Sequence, residues 1–418
     1  MSRTLSPREL PKLLKPGMHV FITGASNEPG TLIEAIQAEP DCAAGVTFYQ
    51  FPLAALNHTD WCSLHPRTEA VVFFMAPQLQ RGLAEGRVHF VPLGMRDVWQ
   101  YLEQQHFDLV LTQASLNGDG QLGLGPNADF TQVALKNSKT AVVELNRRCT
   151  PAAGMPQLTL PESHFLVESD RDLPVMPEVT LDAAARTIGA RVAELIRDGD
   201  CIQTGIGRIP AAILQALGEK NDLGLHSGLI DDGVMGLIQS GNINGRRKTL
   251  DPGQHVVGMA LGSTALYQWL GQTGEVLFRE ANYTHALEVI RRIDHFVSVN
   301  SAIEVDLYGQ VNAEYAGHRQ ISGIGGAVDF MRSARASRDG RSIVALTATA
   351  RGGQVSRIVP RVAMVSALRS DTDIIVTEYG VAHLKNASLD ERARSLIELA
   401  APEFREGLHE ALLQAPKT

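Results

Sequence analysis

Two glycines flank an isoleucine at Gly205-Ile206-Gly207, directly behind the short β-rich run Cys201 to Thr204. Glycines on such a turn let a backbone approach a ligand closely, and a helix opening just beyond offers N–H groups to an anion or a carbonyl oxygen. The third glycine and the acidic strand-end residue about 20 positions on that a dinucleotide site needs are missing, which disfavours NAD. The next stretch, Leu223 to Gly253, brings His226, Asp231 and Asp232 into a polar Gly/Asn-rich loop. Then come Glu304 and Asp306, Glu314, the run Ser322 to Phe330 with Gly325, Gly326, Asp329 and Phe330, and Arg351-Gly352-Gly353 followed by Arg357. An imidazole that titrates near neutrality, several carboxylates and glycine-framed arginines are suited to acid–base work and anion binding. Each has a plainer reading: His226 as a structural hydrogen-bonder, Glu304 and Glu314 as loop holders, the arginines as solvated surface groups. The pairs Asp231-Asp232 and Glu304-Asp306 lack the spacing and the oxygen-rich partner set of a magnesium site.

These residues need a scaffold, and the sequence writes one twice. Gly17 is followed by a β-rich run, Thr23-Gly24 and Pro29; Gly199 is followed by a β-rich run, Thr204-Gly205 and Pro210. Asp129-Phe130 and Asp329-Phe330 each precede an apolar run at a similar distance. The pattern predicts an α/β protein of two related lobes with open, mostly parallel or mixed sheets. The helix after the second glycine turn is expected to start near Pro210. A linker is expected at Glu168 to Thr180, where Pro174 and Pro177 punctuate a charged run, giving lobes of 1–180 and 181–418. Leu389 to Leu413 reads as a closing helix pair, with Ser388 as N-cap and Pro402 as the break.

A chain of 418 residues exceeds what one hydrophobic core supports, which agrees with two domains. The net charge of -8 and the absence of a basic stripe exclude a nucleic-acid partner. Cys42, Cys62, Cys149 and Cys201 are scattered without a CxxC pair, which disfavours zinc and a disulfide framework. No signal-peptide pattern and no long apolar run occur, so the expectation is a soluble cytoplasmic protein without a membrane partner.

The runs Ser301 to Pro360 and Thr377 to Ala382 resemble the class I CoA-transferases, specifically the acetyl-CoA hydrolase/transferase branch that includes 4-hydroxybutyrate and butyrate:acetate CoA-transferases. The resemblance extends over nearly the whole chain. It is looser in the first lobe, where Arg147 to Glu162 departs from the Met-Pro and Gly-Asp features usual in that family. It implies a CoA-transferase type of fold, a homo-oligomer, and an acyl-CoA plus an acceptor as substrates, with no tightly bound cofactor and no metal. It implies that Gly205, Ile206 and Gly207 form a mobile loop over the thioester. It implies that Gly325 and Gly326 bring N–H groups to the thioester oxygen, where fixed dipoles stabilise the charge of a tetrahedral intermediate. Asp329 and Phe330 fall in the same matched run, and Arg351, Gly352, Gly353 and Arg357 become candidates for CoA phosphates.

By the same resemblance, the residue after the His-Ser or His-Thr pair is the catalytic glutamate, which forms an acyl anhydride and then a glutamyl-CoA thioester. That position is Gly228, with His226, Ser227, Asp232 and Gly233 in register around it. Three readings follow. A carboxylate acceptor or water attacks the thioester directly, helped by Asp231, Asp232, Glu304, Glu314 or His226; or the space at Gly228 admits an amine, thiol or carbon nucleophile of a biosynthetic acyltransfer; or the chain binds acyl-CoA without catalysis.

Overall fold

The computed structural model describes residues 3–414. The chain forms two compact units, the first comprising residues up to Pro177 with Leu229–Asp232 and Val256–Thr284, the second Glu178–Gly228, Gly233–His255 and the chain from His285 onward. The change at Pro177 falls inside the Pro-punctuated linker. The two later excursions have no counterpart in the simple division at 180, and one of them is fixed by pairing of Leu229–Ile230 with Met259–Ala260.

In the first unit, strands His19–Ile22, Thr47–Gln50, Glu69–Val72 and Val88–Phe90 run parallel on one side. On the other side lie Phe107–Leu116, Ser138–Asn146, Ser163–Ser169 and Arg3–Thr4. Alternate side chains of these strands enter opposite core layers: Phe21, Tyr49, Val71 and Val110 in one, Val20, Phe48, Ala70 and Leu109 in the other. A sheet covered on both faces needs near-continuous apolar strands, which is why the central runs read HVFI and FDLVL. Full burial of each large side chain contributes about 1.5–3 kcal/mol.

The second unit repeats the central topology. Its sheet runs Gly224–Leu225, Cys201–Thr204, Phe296–Ser301, Arg341–Ala345, Ile374–Thr377, all parallel, with Gly380–His383 added antiparallel. The strand after Gly199 is therefore flanked by the next strand in sequence on one side and a later one on the other, as is the strand after Gly17. The turns themselves match. Gly17 and Gly199 sit at φ +87° and +86°, and their N–H groups bond Gly45 and Asn221, each at the entry to the next strand. A left-handed φ at both places accounts for glycine in both copies.

One expectation on local structure shifts: the helix behind the second glycine turn begins at Arg208 and runs to Ala216, with Pro210 inside its first turn. Proline is tolerated there because a first-turn N–H has no intrahelical partner to lose. That helix packs on Ala183–Leu195 so closely that a β-carbon on Gly189 would lie 2.6 Å from the Ala212 carbonyl oxygen. The closing helices are Leu389–Glu398 and Pro402–Gln414, the first opened by a Ser388–Glu391 capping box. All four cysteines are free thiols. Among the described residues no helix is long and apolar enough to cross a membrane.

Candidate active site

In the second unit, strand Cys201–Thr204 connects outward to Gly224–Leu225, whereas Phe296–Ser301 connects the other way to Arg341–Ala345. The carboxyl ends of 201–204 and 296–301 thus border a topological switch point, where open α/β sheets leave a crevice for ligands. A cleft of about 220 Å³ opens there, lined among others by Asp182, Ile206, Arg208, Ser301, Thr347 and Arg357. The glycine loop forms its rim. Ile206 is 39% exposed, Gly207 has φ +108° as N-cap of the following helix, and a side chain at Gly205 or Gly207 would meet no atom within 4 Å.

Two arginines converge on this cleft. Arg208 pairs with Asp182 at 2.5 Å. Arg357 is half-buried, its Nε is buried without a hydrogen-bond partner, and burial, then the nearby Arg208 charge, lowers its pKa. An underpartnered guanidinium beside a second cation favours an anionic ligand.

The strand end also carries the His226–Gly228 segment: the His226 N–H donates to the Ile202 carbonyl at 3.2 Å, and Ser227 Oγ donates to the Thr204 carbonyl at 3.2 Å. Gly228 is thereby fixed beside the base of the glycine loop. What stands next to it is a residue that spacing along the chain does not reveal. A β-carbon at Gly228 would lie 2.9 Å from His285 Nε2, and one at Gly326 only 2.4 Å from the same nitrogen. Both glycines are partly exposed, whereas His285 is 2% exposed. Its ring lies 4.5 Å from the Phe330 ring, and burial pushes its pKa down to about 3, so it is neutral.

The structure thus brings Gly228, Gly326 and Phe330 together around His285. Gly325, at φ +57°, and Gly326 precede the helix Ala327–Ala336, where backbone N–H groups lack intrahelical acceptors. Asp329 lies in the first turn of that helix, and Phe330 is 2% exposed, its ring also 6.3 Å from that of Phe296. His226 is fully buried, with its ring 6.3 Å from that of Phe296. Arg351, Gly352 and Gly353 all have positive φ, at 51°, 67° and 92°, forming the tight turn between Thr349–Ala350 and Val355–Ser356.

Three of the candidate carboxylates have nearby hydrogen-bond partners, and Glu304 also acts on the charge of Arg357. Glu304 accepts from Asn312 Nδ2 at 3.1 Å, Glu314 from Gln320 Nε2 and Ser366 Oγ at 2.7 and 2.8 Å, and Asp232 from the Ser263 N–H at 2.9 Å. Among the described residues no group of three or more His, Cys, Asp or Glu side chains is placed to hold a metal ion.

Comparison with known proteins identifies the family. Residues 2–164 match the acetyl-CoA hydrolase/transferase N-terminal domain and residues 262–412 the corresponding C-terminal domain. The chain is 35% identical over 399 residues to a 4-hydroxybutyrate coenzyme A transferase of Clostridium kluyveri, covering 93% of this chain and 92% of that protein. It is 32% identical to a butyryl-CoA:acetate CoA-transferase of Anaerostipes caccae, over 84% and 80% of the two chains. The solved structure of RipA from Yersinia pestis superposes with a TM-score of 0.91 at 29% identity, covering 99% and 97%. The chain belongs to the acetyl-CoA hydrolase/transferase family and is an enzyme of the CoA-transferase/hydrolase type.

Proposed function

We propose that this enzyme acts on an acyl-CoA thioester by direct attack of the acceptor, without an acyl-glutamyl or glutamyl-CoA intermediate. The observation that carries the reading is Gly228: the position that family resemblance assigns to the nucleophile has no side-chain atom, within an otherwise intact frame at a strand end. The CoA moiety enters the crevice beside Gly205–Gly207, with Arg357 and Arg208 facing its phosphates and Ile206 covering its apolar arm. The N–H groups at Gly325 and Gly326 receive the thioester oxygen. As the acceptor attacks the carbonyl carbon, negative charge collects on that oxygen, and the tetrahedral adduct then expels the CoA thiolate. Holding thioester and acceptor together supplies much of what a covalent step otherwise provides.

The test is incubation with acetyl-, butyryl- and succinyl-CoA, with and without acetate, following free thiol and acyl exchange. Thiol release without a trapped protein–CoA thioester is the expected result. Ping-pong exchange through a protein-bound CoA thioester overturns the reading.

A further inference from the structure

The space that a side chain at residue 228 needs is already filled. His285 Nε2 stands 2.9 Å from the β-carbon position of Gly228 and 2.4 Å from that of Gly326, both shorter than real β-carbon contacts. Neither glycine accepts a side chain while this ring stays in place. The ring is held by Phe330, and the Phe330 Cε2 atom lies 3.5 and 3.0 Å from the same two β-carbon positions. A polar ring tip and an aromatic edge therefore occupy the room next to the two partly exposed glycines, one of them at the position of the absent nucleophile. An imidazole, and not open space, thus stands beside the position that lacks the carboxylate.

An imidazole offers chemistry that a carboxylate acceptor does not need. A carboxylate reaches the enzyme without a proton at neutral pH and attacks as it is. Water, an alcohol, an amine or a thiol must lose a proton while attacking, and a base positioned at the attacking atom speeds that step by roughly 10²–10⁴-fold.

Building on the direct-attack reading above, we propose that His285 is the general base for a protic acceptor H–X and that this acceptor, rather than a carboxylate, is the natural class of co-substrate. The X–C bond forms at the thioester carbonyl as the proton of H–X moves to His285 Nε2. The C–S bond then breaks, and the same proton passes to the departing sulfur. The balance is R–CO–S–CoA plus H–X giving R–CO–X plus CoA–SH. Burial keeps the ring neutral in the resting enzyme and disfavours its protonated form, so it takes up the proton only as the charge growing on the thioester oxygen stabilises the imidazolium. The positive charge it gains is offset by the negative charge growing on the oxygen beside Gly325 and Gly326.

The experiment uses the full-length enzyme with acetyl-, butyryl- and succinyl-CoA and five acceptors: water, hydroxylamine, cysteamine, acetate and succinate. Wild type is expected to release thiol with at least one protic acceptor and faster than with either carboxylate. His285→Gln, close in size but unable to carry the proton, is expected to lose ~100-fold or more in kcat, with KM for acyl-CoA changed by less than about twofold. His285→Ala is expected to be similarly slow and to be partly restored by free imidazole, which His285→Gln is not. A His285→Gln enzyme with wild-type kcat overturns the proposal while leaving direct attack intact. A wild type that transfers to carboxylates alone overturns it without recourse to any variant. Inertness of wild type toward every acyl-CoA overturns both readings together.

Discussion

His285 Nε2 lies 2.9 Å from the point where Gly228 would carry a β-carbon, and the two residues define each other's identity. A side chain at 228 requires the ring to shift. Gly228→Ala and Gly228→Glu are each expected to cost about 1–3 kcal/mol through overpacking, and His285→Ala is expected to recover part of that loss in the double variants. Denaturant unfolding of the single and double variants measures it as a coupling of about 0.5–3 kcal/mol. Strict additivity contradicts the contact.

The buried ring also predicts acid sensitivity. His285 titrates near 6.5 in the unfolded chain and near 3 when folded. Between those values the unfolded chain binds more protons, so this residue's contribution is complete above pH 6.5 and is lost as pH falls toward 3. His255 acts in the same direction, with a folded value of about 4 set first by burial and then by Lys248. In unfolding experiments from pH 7 to 4, His285→Gln is expected to lose stability less steeply than wild type, by up to about 1.4 kcal/mol per pH unit. Equal slopes contradict this.

Glu28 should show the opposite sign. Burial raises its carboxyl from 4.5 to about 7, against hydrogen bonds from Gln50 and Asn57 that lower it. Here the folded state holds the extra proton between pH 4.5 and 7, so the residue favours folding more as pH drops through that window. Glu28→Gln is expected to remove that gain: the stability difference between wild type and variant moves toward wild type from pH 7.5 to 5. A pH-independent difference rejects the assignment.

Gly189 sets the helix behind the glycine loop. With the β-carbon position 2.6 Å from the backbone oxygen of Ala212, Gly189→Ala is expected to destabilise by about 1–3 kcal/mol and to raise KM for acyl-CoA by displacing Arg208 and the loop. Thermal unfolding and steady-state kinetics report the two effects. An alanine variant with unchanged melting temperature contradicts the close approach.

The scaffold was legible in the sequence where local backbone chemistry dictates it. Gly17 and Gly199 mark the same left-handed turn in two copies, and the apolar runs behind them are buried parallel strands of the two sheets. The glycine loop was legible for the same reason. His285 was not, because its meaning comes from tertiary packing: it is remote in sequence from both Gly228 and Gly326 and carries no motif of its own. The return of Leu229–Asp232 and Val256–Thr284 to the first unit was likewise hidden, since long-range strand pairing leaves no local spacing signal. Glu304, prominent in the sequence, accepts a hydrogen bond from Asn312 and also acts on the charge of Arg357.

The most direct test of the whole account is the intact mass of the protein during turnover of acyl-CoA, quenched at short times with and without acceptor. Direct attack predicts CoA release with the protein mass unchanged at every time. A transient increase by the mass of CoA, or of the acyl group, would contradict it.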